Sequence, residues 1–349
     1  MKRALFSALL LALLPAAGFA QPGIQSYLDP IKAIFFNFDP IGWYPEAAPQ
    51  LGDLARCGLR GPVQVVCHHQ RVDTAMPDGG EIIYSGSNFW AEAESIDTLW
   101  FSPKGELQAI VLPARESSLW PGVTMPQEGY AAKSADGRRD YLYFIFAAEN
   151  VNRTAPQRQL THLKYNYDSE GRLSGISYRV FYEENGRFEE YAPFSQPEWM
   201  TFRYEGGVLR SATRDDATLT YNAQGLVSSL AWRDAYKGEY TYDAQGRPLT
   251  LTHQRVEPGM DEDEYIKTRF TFTYNEQGDP AKVTDETWSC NSAWKPLTAA
   301  PSKTVYTFTY EYDEAGNWTR AEGRIARGAE APRLVITNTR ELHYYPAGE

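Results

Sequence analysis

The chain has 349 residues, 42% of them hydrophobic and 14% aromatic, and 34 Lys and Arg against 45 Asp and Glu set its formal charge at −11. An acidic chain without a Lys/Arg cluster offers no cationic face for sequence-independent binding to nucleic acid or to an anionic membrane. Its three cysteines form no CxxC pair and have no spaced histidine partners, which leaves a zinc site without ligands.

The chain opens as a secretory signal. Lys2 and Arg3 form a basic start, residues 4–14 are apolar except for Ser7, Pro15 breaks the run, and Gly18-Phe19-Ala20 supplies small residues for cleavage after Ala20. The apolar run is too short to span a bilayer, no Cys follows it for lipidation, and no later stretch is apolar enough to cross a membrane. The expected mature protein is soluble and exported, periplasmic or secreted. Residues 21–58 are aromatic and Pro-rich (Phe35, Phe36, Phe38, Trp43, Tyr44), with a short helical stretch at 51–56. Residues 59–150 read as a β-rich part with degenerate repeats. Strands are expected at 62–69, 81–84, 98–101, 108–112 and 141–146, and a loop at 128–139. No Ser/Gly or Pro/Thr tract separates this part from the rest.

Cys57 faces Cys67 across a turn at 58–61, which makes that bridge the first expectation in an oxidising compartment. Cys290, in the turn-like insertion Trp288-Ser289-Cys290-Asn291, is an alternative partner for Cys57, and sequence leaves the connectivity open. His68-His69 are adjacent strand residues pointing to opposite faces, so they read as structural rather than as a metal pair. Asp261-Glu262-Asp263-Glu264 lacks the spaced ligands and glycine of a calcium loop and reads as solvated.

Along the chain, and most densely in the part at 151–349, a phrase recurs: an aromatic residue, Asp or Asn, two loose positions, then Gly. It appears as Tyr167–Gly171, Tyr221–Gly225, Tyr242–Gly246, Tyr274–Gly278 and Tyr312–Gly316, with looser copies at Tyr182–Gly186, Phe101–Gly105 and Tyr204–Gly207. Before it, residues alternate. Tyr306, Phe308, Tyr310 and Tyr312 share one face, while Thr307, Thr309 and Glu311 share the other, the mark of a half-buried antiparallel strand. Asp or Asn bonds the backbone two residues on, and Gly takes the left-handed position after a type I turn. One hairpin cannot bury its aromatic face alone. The expected fold is therefore all-β: stacked antiparallel β-hairpin repeats forming a long twisted or spiralling sheet. Wider glycine spacings place inserted loops at 256–263 and 287–302.

The repeat tyrosines read as core. Trp120, Trp199, Trp288 and Trp294, in apparent loops, read as recognition residues. Sequons occur at Asn152-Arg153-Thr154 and Asn317-Trp318-Thr319, without sugar expected. No catalytic, cofactor-binding or metal-binding residue is assigned. The chain carries no nucleophile elbow, phosphate loop, zinc helix or dinucleotide fingerprint.

Tyr-Asp-x-x-Gly-Arg-Leu/Pro-Leu, as at 167–173 and 242–249, resembles the YD repeat of Rhs-type and teneurin-like proteins. Residues 58–66 look like the opening strand of small exported bacterial proteins with degenerate YD repeats. The resemblance implies hairpin units winding into a spiralling sheet on exported or cell-surface proteins. Large Rhs proteins carry many more units and a C-terminal toxin. Here the alternating strand at 334–345 is the last, and Asp39-Pro40-Ile41-Gly42 matches part of the toxin junction only by chance. The expected function is a non-enzymatic, exported binding or structural module with a protein or glycan partner and no cofactor. The alternatives are an envelope polysaccharide or peptidoglycan hydrolase with carboxylates in a groove, and a small relative of toxin-encapsulating proteins.

Overall fold

The computed structural model describes Leu54 and residues 59–72, 94–116, 124–133, 138–148, 157–214, 217–257 and 263–346. There the period-two pattern becomes nineteen antiparallel strands. They are β1 (Val63–Val72), β2 (Glu94–Phe101), β3 (Leu107–Glu116), β4 (Thr124–Lys133), β5 (Arg139–Ala148), β6 (Gln157–Tyr167), β7 (Leu173–Glu184), β8 (Arg187–Glu190), β9 (Gln196–Glu205), β10 (Val208–Arg214), β11 (Ala217–Tyr221), β12 (Val227–Trp232), β13 (Tyr236–Tyr242), β14 (Pro248–Glu257), β15 (Glu264–Tyr274), β16 (Pro280–Cys290), β17 (Ser302–Tyr312), β18 (Trp318–Arg327) and β19 (Arg333–Tyr344).

The expected all-β hairpin stack is present, and the sheet closes on itself instead of spiralling onward. Neighbours in sequence pair with one another, and β1 pairs with β19 from Val63↔Tyr344 to Val72↔Ile336. β8 and β9 both run antiparallel to β7, β8 against Phe181–Glu184 and β9 against Gly175–Tyr178. They are two pieces of one lane, interrupted by a 3-10 turn at Ala192–Phe194. Pro193 in that turn has no N–H to give a ladder. The nineteen strands thus form an eighteen-strand barrel. An antiparallel ring needs an even number of lanes. A separate lane for β8 would have brought β1 and β19 together parallel.

A circle of eighteen strands is wide enough for an aqueous channel. Here Leu99, Leu219, Leu230 and Leu251 on the inward face are 0–1% exposed, so that face is covered. Each such leucine contributes roughly 1.5–3 kcal/mol on leaving water. The inward apolar residues of β1–β13 form one contiguous cluster, and those of β14–β18 a second joined to it through Tyr240.

Alternating strand direction puts the turns after β2, β6, β9, β11, β13, β15 and β17 on one rim, here called the turn rim. In Asp243–Arg247 the Asp243 carboxylate accepts from the N–H groups of Gln245 and Arg247, and Gly246 sits at φ +80°. Asp168 and Asn222 make the same bonds. The aromatic of the phrase has a further role. The hydroxyls of Tyr242, Tyr274 and Tyr204 donate to the carbonyls of Val227, Pro248 and Leu173 at 2.6, 2.6 and 3.1 Å. Each acceptor is the first residue of the preceding lane, so these units are hooked to the lane before them. The arginine after the glycine completes the unit: Arg247 bonds Asp243 at 2.6 Å and lies 4.5 Å over the ring of Tyr274. At the closure Arg60 substitutes for a unit. Its N–H donates to Asn317 at 2.7 Å, and its guanidinium binds the carbonyls of Gly316 and Gln277.

Several expectations change. The stretch 128–139, read as a loop, lies partly in β4, which pairs with both β3 and β5. Its Gly129 carries no apolar side chain to show the alternation, and Phe144 fills the space that a Cβ would take. Trp199, read as a loop residue, lies in β9 and is 4% exposed. Trp288 and Cys290 belong to β16 rather than to an insertion. Asn317 is 1% exposed and bonded to Arg60 and Tyr344, so its sequon faces no solvent. Cys67 and Cys290 are free thiols. Residues 1–53, Cys57, residues 81–84, Trp120, the 152–154 sequon, Asp261 and Glu262 lie outside the described residues.

Two substitutions check this account. Gly246→Val strains a left-handed residue and should destabilise by about 1–2 kcal/mol in denaturant melts. Tyr242→Phe deletes one hook and should cost about 1 kcal/mol, with no change in the spectrum of the folded protein.

Candidate functional site

Closure gives each strand an inner and an outer face, and the outer face divides into two unlike sectors. Across β13–β17 the register aligns Glu239, Thr252, Arg269, Glu286 and Lys303 in one outward row. This is a charged, water-facing wall, with Lys303 and Glu286 paired at 3.6 Å.

Across β1–β7 the corresponding row reads Val65, Trp100, Ala109, Tyr130, Tyr143, His162 and Arg179. The next outward row adds Val111, Ile145, Leu160 and Phe181, and Val111 is 43% exposed. Tyr130 stacks on Tyr143 at 5.3 Å, and Tyr141 on His162 at 4.5 Å. Rings stacked across strands turn their edges and hydroxyls outward. Lys164 lies 5.7 Å over the ring of Tyr141, while Arg158–Glu183 and Arg179–Glu190 pair at the border. Burial, then Arg179 and Lys164, lowers the pKa of His162, which keeps its imidazole uncharged at neutral pH. Sequence reasoning missed this wall because its rings alternate with core residues within ordinary strands. The signal is the run Tyr141, Tyr143, Ile145 interleaved with Leu142 and Phe144: a strand apolar on both faces.

The inner face carries polar groups among its leucines. Arg214, His253, Asn338, Gln159 and Arg340 are each 1–4% exposed. One inward row runs Arg214, Ala217, Trp232, Tyr236 and Arg255. His253, two residues from Arg255, lies between Gly238 and Thr268 and against the rings of Tyr236 and Phe270. Neither of its ring nitrogens has a hydrogen-bond partner. Burial, with help from Arg255, holds its pKa down to about 3. Of the described residues in the buried polar set, the single carboxylate is Asp279, which accepts from Tyr312 at 2.9 Å.

Of the residues weighed from sequence, His68 and His69 occupy adjacent positions of β1. Among the described residues no three His, Cys, Asp or Glu side chains gather as a metal site. Asp263 and Glu264 are exposed. Trp288 is half-buried in β16. Trp294 meets Tyr265 edge-on at 5.3 Å in a turn repeating the bonds of the glycine phrase, with Asn291 as cap and Trp294 itself at φ +60°. Among the described residues no helix is long and apolar enough to cross a membrane.

No protein-family profile matches the chain, and no curated protein matches it. A porin-like protein from Bacteroides vulgatus is similar over 82% of this chain and 99% of its own, at 10% identity and TM-score 0.27. Another from Bacteroides uniformis is similar over 58% and 96%, at 11% identity and TM-score 0.24. The TcdB2–TccC3 structure is similar over 70% of this chain and 18% of its own, at 11% identity and TM-score 0.19. Likenesses this slight assign no function.

His253 makes a pH-dependent signature. Its folded pKa lies below the unfolded value of about 6.5, so the unfolded chain binds the extra proton. The stability present above that value should fall by about 1.4 kcal/mol per pH unit as pH drops from about 6.5 towards 3. The difference in unfolding free energy between wild type and His253→Leu, measured from pH 7 to 4, should show this slope.

Proposed function

We propose that the protein is an exported, non-enzymatic binding module that meets a protein partner through the outer aromatic wall of β2–β7. The observation that carries this reading is the contrast between sectors. The same barrel shows Thr, Lys, Arg and Glu outward on β13–β18, and Trp100, Tyr130, Tyr141, Tyr143, Ile145, Leu160 and Phe181 outward on β2–β7. Tyr and Trp flanked by arginine make up the composition in which interface energy concentrates. Ring edges and hydroxyls suit a peptide surface better than a sugar face, which needs open ring planes. The signal at residues 1–20 supports export, to the periplasm or beyond.

Other readings find less support. A transmembrane barrel turns an apolar band outward all round, and each Arg or Lys at its midplane costs about 2–4 kcal/mol. The outward row through Arg269 and Lys303 is of the opposite kind. A two-carboxylate hydrolase has no counterpart in the buried polar set described above. A toxin-enclosing shell requires room inside, against inward leucines at 0–1% exposure.

The test is binding of the mature protein to envelope protein fractions and, separately, to peptidoglycan, compared with the double variant Tyr141→Ser, Tyr143→Ser. Saturable protein binding that weakens at least tenfold in a variant of unchanged fold supports the reading. Binding to peptidoglycan alone, or protein binding equal in both forms, contradicts it.

A further inference from the structure

We propose that the inner face of the barrel between β9 and β14, at the rim opposite the glycine turns, binds a small amphiphilic organic anion: a carboxylate, sulfonate or phosphate on an apolar body.

The wall is lowest here. β10, β11, β12 and β13 have 7, 5, 6 and 7 residues, against 10 in β9 and 10 in β14. The row Arg214, Ala217, Trp232, Tyr236, Arg255 therefore lies at the edge of the interior, and Trp232 is 36% exposed there. The row supplies two guanidinium groups beside the rings of Trp232 and Tyr236, within a chain whose formal charge is −11. Flat rings frame them: Arg214 lies 4.8 Å over the ring of Trp199, and Tyr236 is buried beside His253.

The second observation is His253. It is 2% exposed, on the same face as Arg255, with both ring nitrogens unpartnered. Buried polar groups are nearly always hydrogen-bonded, and leaving one unmet costs about 1–3 kcal/mol. A neutral imidazole next to a guanidinium offers an N–H to an acceptor. It offers a second positive charge to nothing. An anion's oxygen between His253 and Arg255 would meet both. Thr268, on the other side of His253, bonds Thr287 at 3.0 Å, and Thr287 donates to Asp285 at 2.9 Å. The aromatic rings of the row would hold the ligand's apolar body, as mixed sites hold most small ligands: a few directed polar groups in an apolar lining.

The probe is anilinonaphthalene sulfonate, followed by fluorescence on the folded protein at neutral pH, with uncharged N-phenylnaphthylamine as control. Saturable binding at one site is expected. It should weaken at least tenfold in Arg255→Gln and severalfold in His253→Phe, weaken with added salt, and exceed that of the uncharged probe. Circular dichroism and the thermal midpoint establish that each variant is folded. Should Arg255→Gln fail to fold, His253→Phe and the two-probe comparison decide. No saturable binding by the wild type overturns the proposal. Equal affinity for the two probes, or binding unchanged in the folded variants, also overturns it.

Discussion

The structure depends on one constraint: a sheet with a continuous apolar face must cover that face. Most strands offer leucine, isoleucine, valine, phenylalanine or tyrosine on one side, and no packed helix layer covers them among the described residues. Closing the ring buries that side along its whole circumference and removes both free edges, which would otherwise expose rows of unpaired N–H and C=O groups. The pairing of β1 with β19 is thus what closes the ring. Arg60 and Asn317 lock it at the turn rim, where Tyr344 also bonds the side chains of Asp313 and Asn317.

The repeated phrase serves that closure. Its Asx cap and glycine set the hairpin turn, Arg172 and Arg247 in two of its copies bond the cap and lie over a ring of the next unit, and Tyr167, Tyr204, Tyr242 and Tyr274 hook back to the previous lane. The hook links lane to lane at one rim only, since strands alternate in direction. The opposite rim is freer to vary: it holds the broken lane at 191–195, the low wall of β10–β13 and the turn with Trp294 at a left-handed position. A tryptophan there costs about 1–3 kcal/mol where glycine would not. The proposed binding features lie away from the repeated residues, on the outer wall and at the low rim.

The hairpins, the turn positions and the polarity of both faces of β15 and β17 were legible because Tyr, Phe and Thr alternate there without interruption. The closure was not legible, because register between residues 63 and 344 leaves no local trace. β4 was hidden by Gly129, which makes its face through the neighbour's Phe144. Trp199 was misplaced because Pro197 beside it reads as loop, although the proline sits near the start of β9, where a missing N–H is tolerated. The outer wall was hidden for a related reason. A strand apolar on both faces shows no period, and only the ring tells inside from outside. His253 is an ordinary residue of a Thr-rich strand until Gly238 and Thr268 are placed beside it.

Cross-linking tests the closure most directly. With the three cysteines replaced by serine, Val65→Cys, His343→Cys pairs directly opposite residues of β1 and β19. Thr241→Cys, Thr250→Cys does the same within one hairpin and serves as control. Both pairs should form intramolecular disulfides under mild oxidation, which makes the first variant a covalent circle that a single proteolytic cut leaves in one piece. A control pair that links while residues 65 and 343 do not would contradict the closed barrel.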